Sequence, residues 1–168
     1  LSRGGQETSD DIQLVVAHYE ENLDWLERLP GIPKIVYEKG RSGDGNRLPN
    51  VGREAHTYLH HVIANYDRLA PITVFLQGDP HAHATDLDET IWSLQQGLGY
   101  RDLVNHILVE DARGEPVQPG LGLGEMYEEL FAEASPDFFL CHSAACFAVS
   151  KANILCRPRE FYERAMDL

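Results

Sequence analysis

Basic residues are scarce in this sequence. Fourteen Lys and Arg stand against 27 Asp and Glu, a formal net charge of -13. Nucleic-acid binding needs clustered cations that displace the counterions of phosphate. The densest basic set, Arg157, Arg159 and Arg164, is too small for such a footprint, so nucleic acid is excluded as a partner. Cysteine is scarce as well. Cys141, Cys146 and Cys156 show no Cys-x-x-Cys pair, and an odd count at irregular spacing reads as reduced thiols, with at most one bridge among them. No apolar run approaches the length of a membrane span, and no signal-peptide pattern is present. The compartment stays open: cytoplasmic, or secretory and membrane-tethered if a segment precedes Leu1. Walker loops, Gly-x-Ser-x-Gly, Gly-x-Gly-x-x-Gly, His-Glu-x-x-His, repeats and heptads are all missing.

What remains is an ordinary globular composition. In 168 residues, 43% are hydrophobic and 24% charged, enough for one domain with a normal core. Residues 1–11 read as a disordered lead-in and 12–168 as the domain. The short continuous apolar run 12–17 suits a strand buried on both faces. Leu23, Trp25, Leu26 and Leu29 suggest a short amphipathic helix closed by Pro30-Gly31, and 35–37 reads as a second strand before a Gly-rich loop, 40–49. Tyr58, Leu59, Val62, Ile63 and Tyr66 recur at helical spacing. Residues 72–76 form another buried strand, and 86–103 reads as a helix broken by Gly97 and Gly99. The period of 103–109 leaves helix and strand open. A turn at 111–116, a loop at 119–124 and a helix at 125–134 follow. Short strands are expected at 138–140 and 146–149, a helix capped by Ser150, and a last helix opened by Pro158. Strand–helix–strand alternation predicts an α/β domain with a central, mostly parallel sheet flanked by helices.

The candidate chemistry gathers at strand ends. The strand at 72–76 runs into Gln77-Gly78-Asp79-Pro80-His81-Ala82-His83, and open α/β sheets bind ligands beyond such ends. Asp79, His81 and His83 are candidate metal ligands, although the spacing matches no strong metal motif. Gly78 would let a ligand approach the backbone. Tyr19 and Glu20 follow the first strand and Glu38 the second, positions equally suited to solvated turns. Asn50-Val-Gly-Arg-Glu54 offers a helix mouth at Gly52 and a guanidinium at Arg53 for phosphate. The competing reading makes Asn50 the N-cap and Glu54 part of a capping box. His60 and His61 pack or hydrogen-bond rather than bind metal.

Several segments together carry a resemblance. Val15 to Leu26, Val36-Tyr-Glu-Lys-Gly40, Leu48 to His61, Val74 to Pro80, Cys146 to Ile154 and Arg157 to Tyr162 resemble the domain-of-unknown-function family thirty-four thirty-one. The most specific parts are Asn-x-Gly-Arg-Glu and Phe-x-Val-Ser. That family is similar, more distantly, to the GT-A nucleotide-sugar transferases. The likeness implies a nucleotide-sugar donor, a carbohydrate acceptor and Mn²⁺ or Mg²⁺. Tyr19, Glu20 and Glu38 would meet the nucleoside, and Asn50, Gly52 and Arg53 the diphosphate. Gln77-Gly78-Asp79 would stand at the Asp-x-Asp metal motif, with Gln77 replacing its first carboxylate, and Phe147 to Ser150 would flank the acceptor. Asp79, Glu125 and His142 are the expected catalytic groups, the last two chosen from loop position alone. The alternatives are a non-catalytic nucleotide- or carbohydrate-binding domain and a metal-dependent hydrolase built on Asp79, His81 and His83.

Overall fold

The computed structural model describes residues 11–40, 46–95, 97–104 and 106–168. The expected lead-in therefore lies outside the described residues except for Asp11, as does 41–45 of the Gly-rich loop. Among the described residues eight strands form: β1 (Ile12–His18), β2 (Lys34–Glu38), β3 (Asn46–Arg47), β4 (Ile72–Gln77), β5 (Tyr100–Asp102), β6 (Ile107–Asp111), β7 (Phe138–His142) and β8 (Phe147–Ser150). The helices are α1 (Arg53–Asn65), α2 (Leu87–Trp92), α3 (Leu123–Phe131), α4 (Lys151–Ile154) and α5 (Arg159–Asp167).

Six strands make the main sheet in the order β3-β2-β1-β4-β8-β5, and β6 pairs with β7 in a separate ribbon. The sheet is mixed rather than mostly parallel. Of the six strand pairings, three are parallel and three antiparallel, because β8 runs against both β4 and β5 and the ribbon is antiparallel. A parallel neighbour needs a long crossover. Only four residues, 143–146, separate β7 from β8, which enters the sheet reversed.

The core sits on both faces of β1 and β4. Alternate side chains point to opposite sides of a strand. Leu14 and Val16 therefore join Val74 and Leu76 against Trp25, Leu29, Leu87 and Ile91. Val15 and Ala17 join Phe75 on the other face, under Tyr58 and Val62 of α1. Each large side chain buried this way contributes about 1.5–3 kcal/mol. The continuous apolar run in each strand follows directly from this two-sided burial.

Two expected helices are shorter than their patterns. Residues Asp24–Arg28 form a 3-10 turn that buries Trp25. The 86–103 helix ends at Trp92, and β5 follows after Gly99. Ser150 does cap α4, its Oγ accepting from the Asn153 N–H at 3.2 Å, and Pro158 precedes α5. The three cysteines are free; Cys146 is buried and Cys156 exposed.

Candidate functional site

Strand order reverses between β1 and β4. From β1 the chain winds outward to β2 and β3, then returns to β4 on the other side. The carboxyl ends of β1, β2 and β4 therefore flank the crevice where open α/β sheets hold ligands.

At the β1–β2 end the polar groups are spent on one another. His18 Nδ1 lies 2.7 Å from Glu38 Oε2, and His18 Nε2 donates to the Glu21 carbonyl at 2.9 Å. Burial pulls the His18 pKa down, but the Glu38 hydrogen bond, the Glu21 carbonyl and both carboxylate charges outweigh it and raise it above 6.5. Glu38 is buried and also accepts from the Gly40 N–H at 3.1 Å. It is thus a structural carboxylate, not one offered to a ribose. Tyr19 and Glu20 are exposed, while their backbone N–H groups donate to Glu21 Oε2 at 2.8 and 3.2 Å. Gly78 is needed for the same carboxylate: a Cβ there would stand 2.3 Å from Glu21 Oε2. The close approach expected for a ligand is taken by Glu21.

Beyond β4 the three expected metal ligands part company. The Gln77 side-chain amide donates to the Asp79 carbonyl at 2.8 Å, leaving the Asp79 carboxylate at the surface. His81 packs edge-on against Trp25, with ring centroids 5.5 Å apart. Its Nε2 lies 3.0 Å from Asp88 Oδ1 and 2.5 Å from Arg28, and Arg28 Nε meets Asp88 Oδ2 at 3.0 Å. Asp79 and His81 share a shallow depression with Trp25 and Arg28, whereas His83 lines a different cleft. Among the described residues no group of three His, Cys, Asp or Glu side chains is placed to hold a metal ion. One exposed carboxylate, an amide turned to backbone and an imidazole engaged by Asp88 do not fit Mn²⁺ or Mg²⁺, which take several oxygen ligands.

The cleft that receives His83 is a polar site. Its volume is about 570 Å³, and Arg53, Glu54, Gln77, Tyr100, Asp102 and His142 line it. His142 Nε2 lies 2.8 Å from Asp102 Oδ2, and His142 Nδ1 lies 2.8 Å from the Val104 carbonyl. With acceptors at both ring nitrogens, neither is free to take a proton from a substrate. Asp102 Oδ1 accepts from the Tyr100 hydroxyl at 2.7 Å. Burial, then this hydrogen bond and the Asp102 charge, push the Tyr100 pKa up.

Where Arg53 and Glu54 line the same cleft, α1 starts under strain. Gly52 caps it with φ of 58°, and Arg53 follows at 46°, a region costly for a side-chain-bearing residue. Asn50, a candidate diphosphate contact that the competing reading made the N-cap, lies exposed in the bend before it and does not cap α1. The buried Lys39 holds this mouth from below, its Nζ donating to the carbonyls of Val51, at 2.6 Å, and Arg53. Burial lowers the Lys39 pKa, opposed by the Glu54 charge. Glu125 lies exposed at the start of α3, outside the cleft.

Residues 14–168 match the family described as Protein of unknown function (DUF3431). The chain belongs to this family. No curated protein and no solved structure matches it. Of the site residues expected in this DUF3431 chain, Arg53, Gln77, His83 and His142 meet in one cleft; Tyr19, Glu20 and Asp79 are exposed, and His81 is half-buried in the separate depression with Trp25. Sequence reading missed Tyr100 and Asp102 and treated Glu54 as a cap. The partners Asp102 and His142 stand 40 positions apart, so no local motif could signal them; only the fold brings them together.

Proposed function

We propose that this DUF3431 domain transfers a sugar from a nucleotide-sugar donor to an acceptor hydroxyl, on a framework like that of the GT-A transferases. The observation that carries this reading is the presence, in one cleft beside the winding reversal, of Arg53 together with the Asp102–His142 pair. A leaving diphosphate needs preorganised positive charge and donors. Arg53 supplies a two-pronged donor, and the His142 ring, held at one nitrogen by Asp102 and at the other by the Val104 carbonyl, gives the cleft a fixed side. The acceptor hydroxyl needs a base within hydrogen-bond reach. Since both His142 nitrogens are engaged, the base falls to Glu54, the cleft carboxylate not tied to a histidine. Gln77, at the end of β4, contacts donor oxygens as an amide.

Thermal unfolding with UDP- and GDP-sugars tests the donor site, and mass spectrometry of acceptor mixtures tests transfer. A ligand at a hundredfold excess over its Kd stabilises by about 2.7 kcal/mol. Arg53→Gly retains the fold, since glycine suits a positive φ, and abolishes that stabilisation. Glu54→Gln binds donor without turnover. Stabilisation of the native chain with no product would make it a binding domain, and no shift with any nucleotide diphosphate at millimolar concentration would end the donor-site reading.

A further inference from the structure

The polar cleft does not stop at Tyr100. On the far side of that ring lies a groove of about 400 Å³, walled by Tyr58, Leu59, Val62, Phe75, Ile154 and Tyr162, and Tyr100 and Phe147 line both spaces. Tyr100 is 53% exposed, yet it is not loose. Its ring stacks on Phe147, with centroids 5.5 Å apart and planes at 30°, and its hydroxyl is fixed by Asp102. The aromatic wall therefore has a polar edge turned to His142 and a face turned to the groove.

The groove itself offers almost nothing polar. The Tyr58 hydroxyl donates to the Ala145 carbonyl at 2.7 Å, and the Tyr162 hydroxyl to the Ile154 carbonyl at 2.7 Å. Among the described residues Asn153 is the one amide side chain on its rim, and no charged residue lines it. Sugars and phosphates would lose their hydrogen bonds to water there without replacement, whereas an apolar body would gain burial.

We infer that the acceptor is amphiphilic: a small molecule whose reactive hydroxyl enters the polar cleft while an aromatic or alkyl body occupies the groove beyond Tyr100. This rests on the transfer reading for the hydroxyl but not for the apolar site itself. The geometry names the class because the two spaces share a wall, so a single molecule can span both.

The test is a fluorescence titration of the full chain with N-phenyl-1-naphthylamine, a neutral dye that brightens in apolar surroundings, run beside thermal shifts with nucleotide diphosphate. The dye binds saturably at one site, and phenyl glucoside or an alkylphenol displaces it. Leu59→Arg, on the half-buried groove side of α1, weakens dye binding at least tenfold and leaves the nucleotide shift unchanged. If that variant does not fold, Asn153→Phe fills the groove from its exposed rim with the same expected loss. Absence of saturable dye binding overturns the inference. So does dye binding that survives the groove variants but is lost in Phe138→Ser, since the exposed face of the β6–β7 ribbon, with Ile107, Val109 and Phe138, would then be what takes the dye. Dye binding in the groove without any nucleotide shift retains the apolar site and removes the transfer reading.

Discussion

Lowering the pH from neutrality to about 4.5 forces a choice on His61. Its side chain is fully buried on α1, where Nδ1 accepts from the Tyr37 hydroxyl at 3.1 Å and Nε2 finds no partner among the described residues. Burial, then the nearby His60 and Arg68, push its pKa from 6.5 down to about 4. A depressed histidine contributes stability that is fully present above its unfolded pKa and is lost as pH falls through the folded one. Here the loss begins below about 6.5 and is on the order of 2–3 kcal/mol near pH 4.5. His18 works in the opposite sense. Its raised pKa stabilises below 6.5, and that contribution fades as pH rises through its folded value. Comparing the native chain with His61→Gln removes His18 and net charge from the result, because both proteins share them. Glutamine still accepts from Tyr37 but cannot be protonated in this range. The variant is less stable at neutral pH, by on the order of 1–2 kcal/mol for altered packing. Urea unfolding at a series of pH values should show that gap closing, then reversing, toward pH 4.5. Parallel stability curves down to that pH would refute the argument that His61 is held neutral by burial.

Gly78→Ala drives a methyl into Glu21 Oε2 and breaks the Tyr19 and Glu20 N–H bonds; Glu21→Ala in the same chain should remove most of the cost in denaturant midpoint. Asp79→Asn should change stability by less than about 1 kcal/mol and leave nucleotide stabilisation intact, because the carboxylate is exposed and makes no capping bond. Trp25→Phe leaves the Gly78 carbonyl, now met by the indole N–H at 2.9 Å, without that donor, and should cost about 1–3 kcal/mol in chemical unfolding.

The parts of the fold legible in the sequence are those with an undiluted period. β1 and β4 appear as continuous apolar runs because both faces are covered, and α1 shows a helical stripe because one face packs on Phe75 and Val15. The 86–103 segment misleads because Leu94 and Leu98 continue the apolar spacing of α2 without being helical: Leu94 enters the core from a non-helical link, and Leu98 packs against it. Strand β5, only Tyr100-Arg101-Asp102, is too short for alternation to register. In β6 the alternation is inverted. Ile107 and Val109 face solvent while Glu110 is buried, so the pattern fits no buried strand. Site residues follow the same logic. Asp79, His81 and His83 are near one another in the chain but diverge in space, because Trp25 and Asp88 draw His81 to one side. Asp102 and His142 are distant in the chain and meet through the link between the ribbon and the reversed strand β8.

The reversal of β8 has a consequence for biosynthesis. Arg53, Glu54 and Gln77 are made early, but Tyr100, Asp102, His142 and Phe147 reach the cleft only after β8 has paired between β4 and β5. A nascent chain that has emerged through α2 can assemble the parallel half of the sheet, β1, β2 and β4, with only Arg53, Glu54, Gln77 and His83 of the cleft lining. Long-range strand pairing is also the slow step in folding. Assembly of the cleft is thus coupled to synthesis through β8, and a polypeptide that stops short of it lacks half of the lining even where its first half is folded.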